Sequence, residues 1–351
     1  MVVNRRGLTL ATAAVLMLSA ALGAQKKDDK KQSDAQKKET LDIVRLADGA
    51  AAGQPATNDF GLAWAKEDYL KATGNKEYVP FTLTFDQSKV PAGSQVALYW
   101  RVVAKDAGST AALTLPAAGK KDDKDKAKAA PKYAYEDINY IMPANGRISR
   151  AFTVGSGSYD VFVIMKEPAG TQKNAPPAKV SVIKQTLTVP EFWSPDLTTS
   201  SVIVAQRIEP LNAPLSPNEQ LDRPYALGMM EIIPALESKF SMKTELSIFM
   251  LIYNPKIDPM NKPDVTVEYN FYAKQPAGAA EKFFNKTSPQ ELNGKTLPAA
   301  FDMSLGHQLQ TGQAVPLASF PAGDYRLEIK VTDKLGTKTV TRDVNFTVTA
   351  G

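Results

Sequence analysis

The stretch Gly323–Asp333, GDYRLEIKVTD, alternates without interruption: Tyr325, Leu327, Ile329 and Val331 are apolar, while Arg326, Glu328, Lys330 and Thr332 are polar. A period of two marks a β-strand with one buried and one wet face. Asp333-Lys334-Leu335-Gly336 then closes a hairpin, and Gly336 is expected to supply the left-handed backbone of that loop. Val340, Val344, Phe346 and Val348 return on a matching face. Arg342 interrupts that face, so its stem is expected to pack near the strand's edge with its head in water.

The same design occurs earlier in the chain. Gly157-Ser158-Tyr159 opens a strand as Gly323-Asp324-Tyr325 does, at an offset of 166. VALYWRVVAK (Val96–Lys105) aligns without a gap on VTVEYNFYAK (Val265–Lys274), at an offset of 169. Two landmarks in the same order at nearly the same offset indicate a tandem duplication of one all-β domain.

A Gly-x-Tyr that opens a strand, followed by alternating apolar residues and a closing hairpin, resembles the late strands of bacterial immunoglobulin-like and fibronectin type III-like domains. The resemblance covers Tyr78 to Val189 and Pro190 to Val348. It implies two tandem antiparallel β-sandwiches in which Tyr159 and Tyr325, with Gly157 and Gly323 before them, form tyrosine corners whose hydroxyls turn back onto upstream backbone. Val161 and Leu327 stand where antibody-type domains carry cysteine. The layout also resembles uncharacterised exported bacterial proteins that end F-x-x-G-x-Y-x-L, and it implies fold without activity.

Ahead of the sandwiches, residues 1–24 read as a signal peptide: Arg5 and Arg6 precede the apolar run Leu8–Leu18, and Ala21-Leu22-Gly23 is small enough for cleavage. The arginine pair is also compatible with a twin-arginine signal. Residues 25–58 are expected to be a disordered Lys/Ala-rich segment, and 59–77 a short helical lead-in stopped at Gly74. Sandwich 1 then spans 78–189 with a Lys-rich loop insertion at 106–132, and sandwich 2 spans 190–351. An insertion of that length is tolerated because loop-closure entropy grows only logarithmically.

Charge and composition narrow the function. The formal charge of +5 is carried by the N-terminal segment and by two Lys-rich tracts. Lys26–Lys38 and Lys120–Lys132 each hold six Lys against three Asp, and with Arg5 and Arg6 set aside as well, the rest of the chain is at −3. No basic stripe remains to favour nucleic acid. Zero cysteine excludes disulfides, thiol catalysis, zinc–thiolate sites and a lipid-modified cysteine. The single histidine, His307, lies among Gly, Gln and Thr and reads as a loop residue. VGSGSYD fails the spacing of a nucleophile elbow, and no phosphate loop or dinucleotide glycine pattern occurs.

Two weaker constellations remain. Asn254, Asp258, Asn261 and Asp264 offer oxygen ligands for calcium in one proline-rich loop, where turn chemistry is the simpler reading. Glu136 and Asp137, adjacent in a strand, point to opposite faces and do not form a catalytic pair.

Aromatic residues carry the expected contacts. Phe192 and Trp193 sit at the domain junction, and Phe283 and Phe284 lie in EKFFNKTSPQ. Phe162 and Ile164 make their strand apolar on both sides, so the second domain or a partner protein is expected to cover it. The sequence therefore points to an exported, non-enzymatic binding or scaffolding protein of the bacterial envelope, without cofactor or metal, that contacts a protein partner. Binding of an envelope polymer or carbohydrate is the alternative, and an enzyme with an unrecognised site the third reading. No nucleic acid and no integral span in the mature chain are expected, with the protein periplasmic, at the cell surface or extracellular.

Overall fold

The structure, a computed structural model, describes residues 34–105, 133–169, 176–275 and 279–350. The stretch read as a signal peptide and the Lys-rich insertion expected at 106–132 lie outside them. Among the described residues the fold is all-β with two α-helices, and the chain divides into two compact units. The N-terminal unit falls within Ala24–Glu67 and Ala72–Glu191, and the C-terminal unit takes Asp68–Lys71 together with Phe192–Gly351.

In the N-terminal unit, helix α1 (Asp34–Ala51) precedes β1 (Ala63–Glu67); β2 (Leu70–Lys71) belongs to the other unit. Then come β3 (Glu77–Thr84), β4 (Val96–Ala104), β5 (Tyr135–Ile141), β6 (Arg147–Val154), β7 (Gly157–Lys166) and β8 (Val180–Val189). One sheet has β3 flanked by β1 and β6, and the second runs β5-β4-β7-β8, all antiparallel. Across the two sheets Phe81 lies 6.1 Å from Trp100 and Phe152 lies 6.1 Å from Tyr135, which makes the space between the sheets the core.

The C-terminal unit continues with β9 (Thr198–Thr199), β10 (Ile203–Pro210), α2 (Pro217–Asp222), β11 (Ala226–Leu227), β12 (Met230–Pro234) and β13 (Lys239–Ser241). It ends with β14 (Glu245–Tyr253), β15 (Val265–Ala273), β16 (Lys282–Lys286), β17 (Gln290–Leu292), β18 (Leu309–Pro316), β19 (Gly323–Asp333) and β20 (Lys338–Thr349). One sheet is β11-β12-β10-β14-β18 and the other β13-β20-β19-β15-β16, where β13 alone runs parallel to its neighbour. Ile248 and Met250 of the first sheet share one apolar cluster with Val267, Phe271, Leu327 and Ile329 of the second.

The offsets read from the sequence recur in the register of the strands. In the N-terminal unit Ala104 faces Tyr159 and Ala97 faces Lys166. Shifting β4 by 169 and β7 by 166 gives Ala273 facing Tyr325 and Thr266 facing Thr332, both pairs present. The strand order β1, β3, β6 against β4, β7, β8 recurs as β10, β14, β18 against β15, β19, β20. The two corners match as well: Tyr159 Oη donates to Gly155 O at 2.9 Å and Tyr325 Oη to Pro321 O at 2.8 Å, each four residues upstream. Gly157 (φ +140°) precedes the first corner in a backbone conformation closed to side chains. Tyr159→Phe and Tyr325→Phe are each expected to lower stability by about 1 kcal/mol, the net value of one partly buried hydrogen bond. Urea titrations of the two variants test this; markedly unequal costs argue against equivalent corners.

Several sequence expectations change. The segment expected to be disordered over 25–58 contains α1, whose Ile43, Leu46, Ala47 and Ala50 form an i, i+3, i+4, i+7 stripe packed on the second sheet. The helical lead-in is instead β1 and β2: Trp64 stacks on Phe81 of the neighbouring strand at 4.6 Å and 9°, and tertiary packing overrides the helix propensity of Ala, Lys and Glu. In the last hairpin the left-handed residue is Thr337 (φ +52°), not Gly336. Gly336 is instead in close contact: a Cβ there would lie 2.2 Å from the Asp333 carboxylate, which would have to shift. The partly exposed Arg342 head is also held by the fold: Nε donates to Thr199 Oγ1 at 2.9 Å and Nη2 to Thr198 Oγ1 at 3.3 Å.

Candidate functional site

The adjacent phenylalanines of β16 separate, as successive side chains of a strand must. Phe284 turns inward against Phe320 and Tyr325, with centroids 4.8 and 5.3 Å away. Phe283 turns outward, is 52% exposed, and meets Tyr272 edge-on at 5.9 Å. On Tyr272 lies the Arg326 guanidinium, 4.5 Å from the ring centre. Arg326 is held by Glu281 (2.7 Å), Asp343 (2.5 Å) and Glu328 (3.4 Å). Partial burial opposes its charge, but the bonds to Glu281 and Asp343 outweigh that cost and hold its pKa above the ordinary value. The outer face of this sheet is thus an exposed aromatic edge beside a cation fixed by three carboxylates. It has the residue types that dominate contact energies in protein interfaces.

The equivalent face of the N-terminal unit is built differently. Ala97, Tyr99, Phe162, Ile164 and Val182 form an apolar surface, and Ile43 and Ala47 of α1 are fully buried against it. Phe162 and Ile164, expected under the second domain or a partner, are therefore covered by the chain's own helix. Burying Ile43 alone contributes about 1.5–3 kcal/mol. The helix is also fixed by charge: Arg101 Nη1 donates to Asp48 Oδ1 at 2.6 Å, and Lys166 Nζ lies 3.5 Å from Glu39 Oε1. Arg101 is 1% exposed and donates a second bond to Tyr99 Oη at 2.7 Å. Desolvation opposes its charge and the Asp48 bond restores it, leaving its pKa raised.

At the start of the C-terminal unit, Phe192 is buried at 5.2 Å from Tyr253. Trp193 is 37% exposed, with the Lys71 ammonium 4.3 Å from its ring centre. Asn254, at φ +58°, fixes this segment: Nδ2 donates to the carbonyls of Phe192, Ser194 and Asp196, and Oδ1 accepts from Lys71 Nζ at 3.0 Å.

The oxygen-bearing side chains weighed for calcium are each engaged with other groups of the chain. Asn254 is engaged as described, Asp258 Oδ1 accepts from the backbone of Met260 and Lys262, and Asn261 donates to Asp302. Asp264 lies 3.6 Å from Lys334. The cation inside this loop cluster is Lys262, whose ammonium donates to the carbonyls of Pro298, Ala299 and Phe301. His307 is buried, and its Nδ1 accepts the Asp302 backbone N–H at 2.9 Å, which places the proton of the neutral ring on Nε2. Glu136 accepts from Tyr99 Oη at 3.0 Å, while Asp137 accepts from the Ile138 amide. Among the described residues no group of three His, Cys, Asp or Glu is placed to hold a metal ion, and no helix is long and apolar enough to cross a membrane.

No protein-family model matches the chain. No curated protein matches it either. Among solved structures, the chain is similar to Salmonella alpha-2-macroglobulin reacted with methylamine, at 13% identity and a TM-score of 0.22, over 83% of this chain and 17% of that one. It is also similar to native Escherichia coli alpha-2-macroglobulin at 10% identity and a TM-score of 0.22, over 85% and 15%. The trypsin-activated E. coli protein gives 10% identity and a TM-score of 0.22, over 86% and 16%. The chain spans less than a fifth of the length of these proteins, and likeness at this level defines neither its fold nor its activity.

Proposed function

We propose that this is an exported, non-enzymatic binding or scaffolding protein of the bacterial cell envelope, built from two tandem modules of the immunoglobulin-like or fibronectin type III-like kind. The observation that carries the binding role is the outer face of β16-β15-β19, where Phe283 stands exposed beside Tyr272 and the clamped Arg326. An aromatic side chain next to a cation already held by its carboxylates costs little further ordering of that cation when a protein surface closes over it. Matching strand order and paired tyrosine corners support the module assignment. Export rests on Arg5, Arg6 and the apolar run that follows, and the non-enzymatic reading on the sequence's lack of nucleophile and nucleotide motifs.

In cells cross-linked with the protein in place, Phe283→Asp is expected to reduce capture of the partner at least tenfold with unchanged thermal unfolding, since the side chain is exposed and its loss leaves no cavity. Undiminished capture removes this face from consideration. Polymer binding is the second reading, favoured by half-exposed Trp193 beside Lys71; quenching of Trp193 fluorescence by envelope polysaccharide but not by salt is its signature.

A further inference from the structure

The chemistry of the face under α1 is not inherent in the sandwich. Carried across by register, Ala97, Tyr99, Phe162, Ile164 and Val182 correspond to Thr266, Glu268, Glu328, Lys330 and Thr341, and the two cations Arg101 and Lys166 to Asn270 and Thr332. One copy of the domain therefore carries a polar face, and the other an apolar strip with a cation at each end.

The spacing of those cations fits a helix. Lys166 pairs with Ala97, four residues from Arg101 along β4, or about 13 Å at the rise of a strand. Glu39 and Asp48 are nine residues apart, about 13.5 Å at the rise of an α-helix. Nine residues are two and a half turns, so the two carboxylates leave the helix on opposite sides of its axis and each reaches its own cation, Glu39 to Lys166 and Asp48 to Arg101, while Ile43 and Ala47 fill the strip between. The helix itself is an addition: it contributes no strand to either sheet, and the residues that link it to the sandwich, Ala52–Thr57, are all exposed, with Gly53 at φ +78°. It can leave without breaking any strand pairing.

We propose that this strip is a helix-docking groove, occupied in cis by α1 and open in trans to a partner protein's amphipathic helix with the same pattern, two carboxylates nine residues apart flanking an i, i+4 apolar pair. The inference is independent of the Phe283 face.

Because the chain has no cysteine, single introduced thiols report on the groove. In the full chain, Ile164→Cys lies under α1 and Val163→Cys on the opposite, inner face, both positions being fully buried. Under native conditions the thiol of the Ile164→Cys variant is expected to react with a maleimide at least 100-fold faster than that of the Val163→Cys variant. A synthetic peptide of residues 34–51 is expected to slow that labelling at least fivefold in a saturable way, and the peptide carrying Glu39→Lys and Asp48→Lys is expected to leave it unchanged. Equal, slow labelling of both variants overturns the proposal because α1 then never opens. Fast labelling that neither peptide slows, or that both slow alike, overturns it because the groove does not select the pattern. Val182→Cys, at the edge of the strip, repeats the measurement should Ile164→Cys not fold.

Discussion

Truncation of Phe271 to alanine is expected to be among the most damaging single changes in the chain, costing about 3–5 kcal/mol. Phe271 is 1% exposed and sits where three aromatic side chains interlock, edge-on to Phe320 at 5.2 Å and to Phe346 at 6.3 Å. Removing the ring leaves a void that the β15 backbone, paired on both edges, cannot close. For a unit of this size each kcal/mol lowers Tm by roughly 2–4 °C, so a drop of roughly 6–20 °C follows. The matching register of the two units provides a control. The register equivalent of Phe271 is Val102, also fully buried, and Val102→Ala deletes two methyl groups for about 2 kcal/mol. Urea unfolding followed by circular dichroism measures both. A cost for Phe271→Ala below that of Val102→Ala would falsify the aromatic core as described.

The sandwich was legible wherever one strand face is wet and the other dry. In β19 the four apolar residues read as inward-facing, Tyr325, Leu327, Ile329 and Val331, are all buried. The offset between Val96–Lys105 and Val265–Lys274 carried over into the pairing of the strands themselves. What stayed hidden depends on contacts distant in sequence. Helix α1 shows its i, i+3, i+4, i+7 stripe in LDIVRLADGAA, but the lysines before it suggested a solvated tail, and only the apolar strip of β4, β7 and β8 makes a helix of that length worth forming. The same strip was visible as the two-sided apolar pattern of Phe162 and Ile164; the identity of its cover was not. Phe283 and Phe284 read alike in sequence, and only the phase of β16 assigns one to solvent and the other to the core. Arg342 carries no local sign that Thr198 and Thr199 lie within reach.

Asn254 is the residue whose chemistry the sequence displayed and whose role it concealed. As a potential calcium ligand it would present oxygen, whereas in the fold its amide nitrogen does the holding. Two N–H protons serve three carbonyls, those of Phe192 at 3.1 Å, Ser194 at 2.9 Å and Asp196 at 3.1 Å, so at least one proton is shared. The left-handed backbone at φ +58° is one that asparagine tolerates and alanine does not. Asn254→Ala therefore loses about two hydrogen bonds' worth of net stabilisation and adds backbone strain, together about 2–4 kcal/mol. Asn254→Gly removes the strain while losing the same bonds, and is expected to cost about 1 kcal/mol less than alanine. The two variants separate the contributions. Hydrogen exchange at residues 192–197 locates the damage, with protection lost there in both variants while β15 and β19 keep theirs. Equal costs for alanine and glycine would show that the backbone conformation is not selected by residue type. Unchanged exchange at 192–197 would mean that the segment is held by Phe192 against Tyr253 and not by the amide.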